Sequence, residues 1–469
     1  MTRVGARDAI KSFFLDQPAA GSGARAGFPY AKAAAVGVLV FLLTFSRKPS
    51  SVLVPQFWAE DGAVFFAQAR EIGLGSLLTP QAGYYNTFTR LAALFGNGVP
   101  VPFAPHYYLL VSVGVLLFIV GYLFSRRLHF RHPTLMALCL GLVPHDGEVF
   151  LTAQASNFYL GLALALFLVS DPPASRWQHV CDVVMIVLAG LTGPFSLIYL
   201  PLFVLRAARE RGAPALKVRA FLVGTAGLLQ LVQMHAVRLE AKEFGLDPRE
   251  MLEILGTRLL TPLLTGPTGF LPTYRWLLGI YMVALLALLV QTFRRGRNHQ
   301  ALYLLAAGVS VVAATLYVFR GAPEDLLYIA AGDRFFFIPL VSVLWCLVQA
   351  LETKDWVRPF AAVLISLCAV RTVGQPSSGF VVLEDLDWAE ASRCIDGPAP
   401  CKVPINPRGW YIPYRPRDRE PSPEAGHGVR SNPDTTDHVP EQQEEQQVRP
   451  VFRQSENEVG VQGRVKAGL

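Results

Sequence analysis

Tyr107–Phe124 reads YYLLVSVGVLLFIVGYLF, a run that carries no charged side chain. About 20 apolar residues rising 1.5 Å each cross the hydrocarbon core of a bilayer, so the run predicts a membrane-spanning helix. Ten further apolar runs stand around it. They are Ala31–Phe45, Thr134–Val143, Phe158–Val169, Val180–Leu191, Leu197–Leu205, Phe221–His235, Trp276–Phe293, Ala301–Phe319, Phe335–Ala350 and Phe360–Val373. Apolar residues make up 52% of the chain and charged ones only 16%, well under the ~25% usual in soluble domains. The fold expected is an all-α integral membrane protein, a polytopic helical bundle of about 11 transmembrane helices. The short runs near Thr134, Phe158, Val180 and Leu197 are expected to tilt, break or re-enter.

The net charge of +7 matters through its placement. Arg3, Arg7, Lys11 and Arg25 precede the first run. Arg126, Arg127 and Arg131 follow the second, Arg206 to Arg219 hold five more cations after the sixth, and Arg294, Arg295 and Arg297 follow the eighth. Alternation of this kind places the N-terminus in the cytoplasm and, with an odd number of spans, the C-terminus outside. Arg47 and Lys48 run against the bias. The cations thus mark topology, and a nucleic-acid partner is not expected. Ser46-Arg47-Lys48-Pro49 offers no small-residue cleavage site, so the first run reads as an anchor and not a removable signal. Abundant Ala, Gly, Arg and Pro fit a bacterial source with a GC-rich genome, and hence the bacterial cytoplasmic membrane.

Four parts follow. Residues 1–30 form a cytoplasmic tail. Residues 31–374 form the membrane domain, with large outer loops at 46–106 and 236–275. Residues 375–414 form a small outer cap, and residues 415–469 a Pro-, Glu- and Gln-rich tail expected to be disordered. In the first loop, Phe57-Trp58 reads as an interfacial aromatic anchor, and Ala63–Glu71 as a helix lying in the interface. Gly83–Thr87 marks a break. In the second, Glu240–Leu259 is partly amphipathic helix, with turns at Thr261-Pro262 and Gly266–Gly269. Cys394 and Cys401 flank a short loop. A disulfide is expected there in an oxidising compartment, with two reduced cysteines as the alternative.

Four constellations carry chemistry. Glu60 and Asp61 are adjacent carboxylates just past the first span. One can serve as a general base, or Asp61 can cap a helix while Glu60 is solvated. Arg334, in Gly332-Asp333-Arg334-Phe335, matches a lipid phosphate bidentately, or else snorkels and pairs with Asp333. His145, Asp146 and Glu148, followed by Gln154 and Asn157, can bind sugar hydroxyls or a divalent cation, or form a polar loop. Tyr84, Tyr85, Asn86 and Arg90 can line a carbohydrate site or anchor at the interface. No zinc pattern and no phosphate-cradling Gly loop is present.

The acidic pair in the first outer loop, the helix after it, the many uneven spans and the late Arg334 resemble the type-C glycosyltransferase superfamily. The runs Trp58-Ala59-Glu60-Asp61-Gly62 and Thr152–Asn157 are similar to bacterial members of it. The likeness covers roughly residues 30–410. It implies a polyprenyl-phosphate- or diphosphate-linked sugar donor and a glycan, lipid or protein acceptor. It makes Asp61 the first choice of base or metal ligand and Glu60 the second; a single displacement then inverts the anomeric centre, where a nucleophilic carboxylate would retain it, and inversion is expected. A secondary transporter or flippase, and a non-catalytic scaffold of envelope assembly, are the competing readings.

Overall fold

In a computed structural model the chain is described at residues 29–236, 247–266, 299–326, 332–353, 355–374, 382–395 and 397–414, and at residues 285 and 290. All of these belong to one compact unit, residues 1–417. The N-terminal tail, the segment around Glu240–Glu243 and the tail from residue 415 lie outside the described residues, as does nearly all of the run Trp276–Phe293.

The other ten apolar runs are helical. They are α1 (Tyr30–Arg47), α2 (Ala104–Leu123), α3 (Pro133–Leu142), α4 (Ser156–Val169), α5 (Arg176–Gly190), α6 (Phe195–Arg209), α7 (Pro214–Ala236), α8 (His299–Val318), α9 (Phe337–Ala350) and α10 (Val357–Gly374). Among the described residues six helices are long and apolar enough to cross a membrane: α1, α2 with its lead-in from Val101, α7, α8, α9 with its lead-in from Asp333, and α10. The described residues thus account for six of the about eleven spans expected. The 14-residue α4 measures about 21 Å and the 10-residue α3 about 15 Å, both shorter than the hydrocarbon core.

Every residue of α4 and α9 is buried, which fits helices that are apolar on all sides. The other helices surround them and turn Val38, Leu42, Phe221, Leu228, Val309, Val363 and Val370 outward. Apolar side chains on that many outer faces belong to a multi-pass membrane protein.

The two ends of α4 differ. At its C-terminus Arg206 donates to Leu168 O and Ser170 O, and Arg219 donates to Phe167 O and Ser170 O. These guanidinia satisfy carbonyls that a helix end leaves unpaired. Asp182 lies between Arg127 (2.6 Å) and Arg219 (2.7 Å) and balances them. Two of the cations read as topology markers, Arg206 and Arg219, thus also hold a helix end, and a third, Arg127, shares Asp182 with Arg219. Arg47 and Lys48 do similar work elsewhere. Arg47 donates to Gly141 O, Val143 O and His145 O at the end of α3, and Lys48 Nζ donates to Phe150 O at 3.1 Å. Their charges serve buried carbonyls, which explains why they break the charge bias.

The first loop departs from its expectation. Asp61–Phe66 forms a π-helical turn that continues into the helix Ala67–Glu71. Its apolar side is not laid on lipid. Phe65, Phe66 and Ala69 are buried in a second core with Tyr108, Trp388, Ile405 and Ile412. The Phe57 ring stands 4.9 Å from each of Phe66, Tyr108 and Trp388. Trp388 and the isoleucines come from the cap, where β1 (Cys401–Ile405) pairs antiparallel with β2 (Trp410–Tyr414) and Cys394 is disulfide-bonded to Cys401. In the second loop Pro248–Leu255 is the expected amphipathic helix. Thr261–Thr265 is helix and not a turn, because Pro262 sits in the first helical turn, where its missing N–H is not needed.

Candidate functional site

At the N-terminal end of α4 a cavity of about 260 Å³ opens between the first loop, the 148–158 segment and the start of the helix that contains α9. It is reached by a turn that the cap holds in shape. Asn406 donates its N–H to Phe57 O and accepts the Ala59 N–H on its own carbonyl. Its side chain meanwhile bonds Glu384 through both amide atoms. The clamp keeps Ala59 in the left-handed region at φ +43°, a conformation that non-glycine residues seldom adopt. Beyond that turn, Glu60 and Asp61 point to different places.

Glu60 is half-buried and lines the cavity. Asp61 does not line it. Asp61 is only 3% exposed, and its two oxygens accept the N–H groups of Ala153 (3.0 Å) and Gln154 (2.7 Å). Burial pushes its carboxyl up to about 7, against those two backbone bonds, which hold it down. Asp61 therefore fixes the 152–155 segment, and Glu60 faces the space that a ligand would fill.

Arg334 lines the same cavity. Its Nη1 is 3.1 Å from Glu148 Oε1, and its guanidinium lies 5.2 Å from the Phe335 ring centre. Pairing with Asp333 does not occur. Asp333 turns the other way, onto Arg258. The Glu148 side chain is 9% exposed, and its second oxygen has no hydrogen-bond partner. Burial pushes its carboxyl up to about 8, with the neighbouring Arg334 pulling the other way. Asn157 also presents an unpartnered buried oxygen at the wall, and Gln154 joins it there. Trp58 is not an outward anchor, since its ring lines the cavity with Lys48 Nζ 5.4 Å from the ring centre.

Of the first-loop quartet, Tyr84 and Asn86 line the cavity and Tyr85 and Arg90 do not. Arg90 is 1% exposed, bonded to Gln68 and stacked over Phe65, so it is a core residue. His145 and Asp146 are likewise buried behind the wall, with Nδ1 and Oδ1 3.0 Å apart. Burial opposes both of their charges, but mutual attraction wins and raises His145 while lowering Asp146. Among the described residues no group of three or more His, Cys, Asp or Glu is arranged to hold a metal ion.

Two positioning residues escaped the reading of the sequence. Gln230, within the apolar helix α7, accepts the Tyr85 N–H at 2.8 Å and donates to Tyr85 O, Gly190 O and Gly193 O, which ties down the 84–86 turn. A fully buried amide in an otherwise apolar run was a usable signal. Asn406 had none.

Compared with known proteins, the chain matches no family model, no curated protein and no solved structure.

Proposed function

We propose that the protein is a membrane glycosyltransferase that takes a sugar from a polyprenyl-phosphate-type donor and passes it to an acceptor hydroxyl outside the cytoplasm. The observation that carries this reading is that one cavity is lined by both Glu60 and Arg334, brought together from distant stretches of chain. Base and phosphate clamp must flank a single sugar, and side chains lining one cavity of this size can do so. Unpartnered oxygens on Glu148 and Asn157 suit sugar hydroxyls, which bring their own donors. The Trp58 ring offers a stacking face.

In this reading the acceptor oxygen attacks the sugar C1 while Glu60 takes its proton. The C1–O bond breaks, and the lipid phosphate leaves with its new charge held by Arg334. Asp61, first choice on resemblance, becomes a positioning residue because both of its oxygens are already bonded to backbone. One displacement inverts the anomeric centre. The bacterial cytoplasmic membrane, a cytoplasmic N-terminus and further spans, Trp276–Phe293 among them, belong to the same proposal. A transporter would carry charge at mid-helix. Among the described residues the buried charges cluster at helix ends and in loops, as at the two ends of α4, at the end of α3 and at the Arg258–Asp333 pair.

The test is transfer by the purified protein in proteoliposomes, using radiolabelled polyprenyl-phosphate sugars and lipid acceptors. Glu60→Gln is expected to lower the rate at least ~100-fold without loss of folding, as for removal of a general base. Full activity of that variant eliminates the base assignment, and retention of anomeric configuration by NMR eliminates the single displacement.

A further inference from the structure

Arg334 and Glu148 meet at the cavity wall, and neither is free to ignore the other. Glu148 Oε1 holds Arg334 Nη1 at 3.1 Å, the Glu148 side chain is 9% exposed and that of Arg334 31% exposed. The second Glu148 oxygen is buried without a partner. An anion that approaches Arg334 from the cavity meets a carboxylate already on the guanidinium. Two anions sharing one cation in a buried site repel strongly. The conflict vanishes when one of them gains a proton, and a phosphodiester is too acidic to be the one.

We propose that Glu148 and Arg334 together form a proton-dependent phosphodiester subsite. As a carboxylate, Glu148 competes for the guanidinium; as a carboxylic acid, it yields Arg334 to the phosphate and donates a hydrogen bond to one phosphate oxygen. The inference rests on the reading of Arg334 as the donor-phosphate clamp. It deepens that reading by assigning Glu148 to the phosphate and not to sugar hydroxyls alone.

The charged groups around Glu148 come from every side. Arg334 faces it from the start of the α9 helix, His145 and Asp146 from its own loop, Glu60 from the Ala59 turn and Lys48 from the end of α1. Asp146 and Glu60 favour the protonated acid, while Arg334 and His145 favour the carboxylate, and burial tips the balance toward the acid, up to about 8. Below that pH the acid form prevails and Arg334 is open to an anion. Above it the carboxylate competes, and affinity falls by up to tenfold for each further pH unit. Lys48 is lowered to about 8 by its own burial, so it is the rival explanation of any alkaline loss.

Binding is measured by titration calorimetry on the full chain in detergent between about pH 6 and about pH 9.5, a range in which a phosphodiester keeps one negative charge. Farnesyl methyl phosphate represents the isoprenoid source and dihexanoyl phosphatidylglycerol the phospholipid source. The tighter binder identifies which lipid the subsite serves. Wild-type affinity is expected to be level to about pH 8 and roughly tenfold weaker one unit above it. Glu148→Gln is expected to abolish that fall, and Arg334→Gln to weaken binding at least ~10-fold at every pH. Affinity that is level in the wild type, or an alkaline fall that persists in Glu148→Gln, overturns the proposal and leaves the Arg334 clamp standing. Binding of neither probe, or binding indifferent to Arg334→Gln, overturns both. Should Glu148→Gln fail to fold, wild-type titrations in two buffers of different ionisation enthalpy decide instead. The same titrations are made on Lys48→Arg, whose charge persists across this range: about one proton taken up per ligand above pH 8 in that variant supports the subsite, and none refutes it.

Discussion

Asp61→Asn separates two effects that oppose each other. The aspartate accepts two backbone N–H groups, at 3.0 and 2.7 Å, from a site that is 3% exposed. Considered as hydrogen bonding alone, replacing it leaves one N–H against an amide NH₂ and costs about 1–3 kcal/mol at any pH. Considered as charge burial, the substitution helps. Burial pushes the folded carboxyl up to about 7 from 3.8, so folding favours its protonated form. Between those two values the unfolded chain has released the proton and the folded chain keeps it. Stability then falls by about 1.4 kcal/mol for each pH unit gained and levels off above the folded value. Over the whole window the loss is about 4 kcal/mol, and from about pH 5 upward it is about 3 kcal/mol. Asparagine has no such slope. The stability of Asp61→Asn relative to wild type should therefore rise by about 3 kcal/mol from about pH 5 to about pH 8. The variant begins at or below the wild type and ends near or above it. Thermal unfolding in detergent, followed by a thiol-reactive dye on the buried Cys139, Cys346 and Cys368, reads this out. A constant deficit across the pH range would refute the reasoning, since it would mean that the two N–H groups keep the carboxylate ionised despite its burial.

Other perturbations test the scaffold around the site. Arg47→Met removes the donor to three carbonyls at the end of α3, and should cost roughly 3–5 kcal/mol as a lowered midpoint of thermal unfolding. Gly62→Ala would set a methyl 2.9 Å from Ile405 Cδ1 and 3.0 Å from Phe57 Cβ, and should cost about 1–3 kcal/mol by the same assay. Cys394→Ser combined with Cys401→Ser opens a bridge of sequence separation 7, and should destabilise the cap by about 2–3 kcal/mol, seen as faster proteolytic cleavage between residues 382 and 414.

The helices were legible because a long apolar run has few uses other than a buried or membrane-spanning helix, and ten of the apolar runs are helices here. Their number as full spans was not legible. The short runs α3 and α4 are enclosed by other helices, so their length is set by packing and not by bilayer thickness. Charge placement showed Arg47 and Lys48 as exceptions, yet gave no hint of their acceptors, which lie about a hundred residues further along the chain. Local pairing also misled at Arg334. Its sequence neighbour Asp333 is claimed by Arg258, and Glu148 takes its place.

The choice between Glu60 and Asp61 shows most clearly where sequence reading stops. The two residues are adjacent and chemically alike, so composition, period and resemblance treat them as a pair. Their side chains diverge because Ala59 takes a left-handed turn, and the turn is fixed by backbone bonds to Asn406 in the cap. Gly62 must follow, since Ile405 and Ile412 leave no room there for a side chain. One acid is thereby driven back onto the 153–154 amides while the other is left facing the cavity. An acidic pair in a first loop marks the place of the cavity, but which member faces it is decided by a contact with a segment more than three hundred residues away. Asn406→Ala keeps those backbone bonds to the turn but removes the side-chain bonds to Glu384 that hold Asn406 in place, so transfer in proteoliposomes should fall, and an unchanged rate would mean that the backbone pairing holds the turn without them.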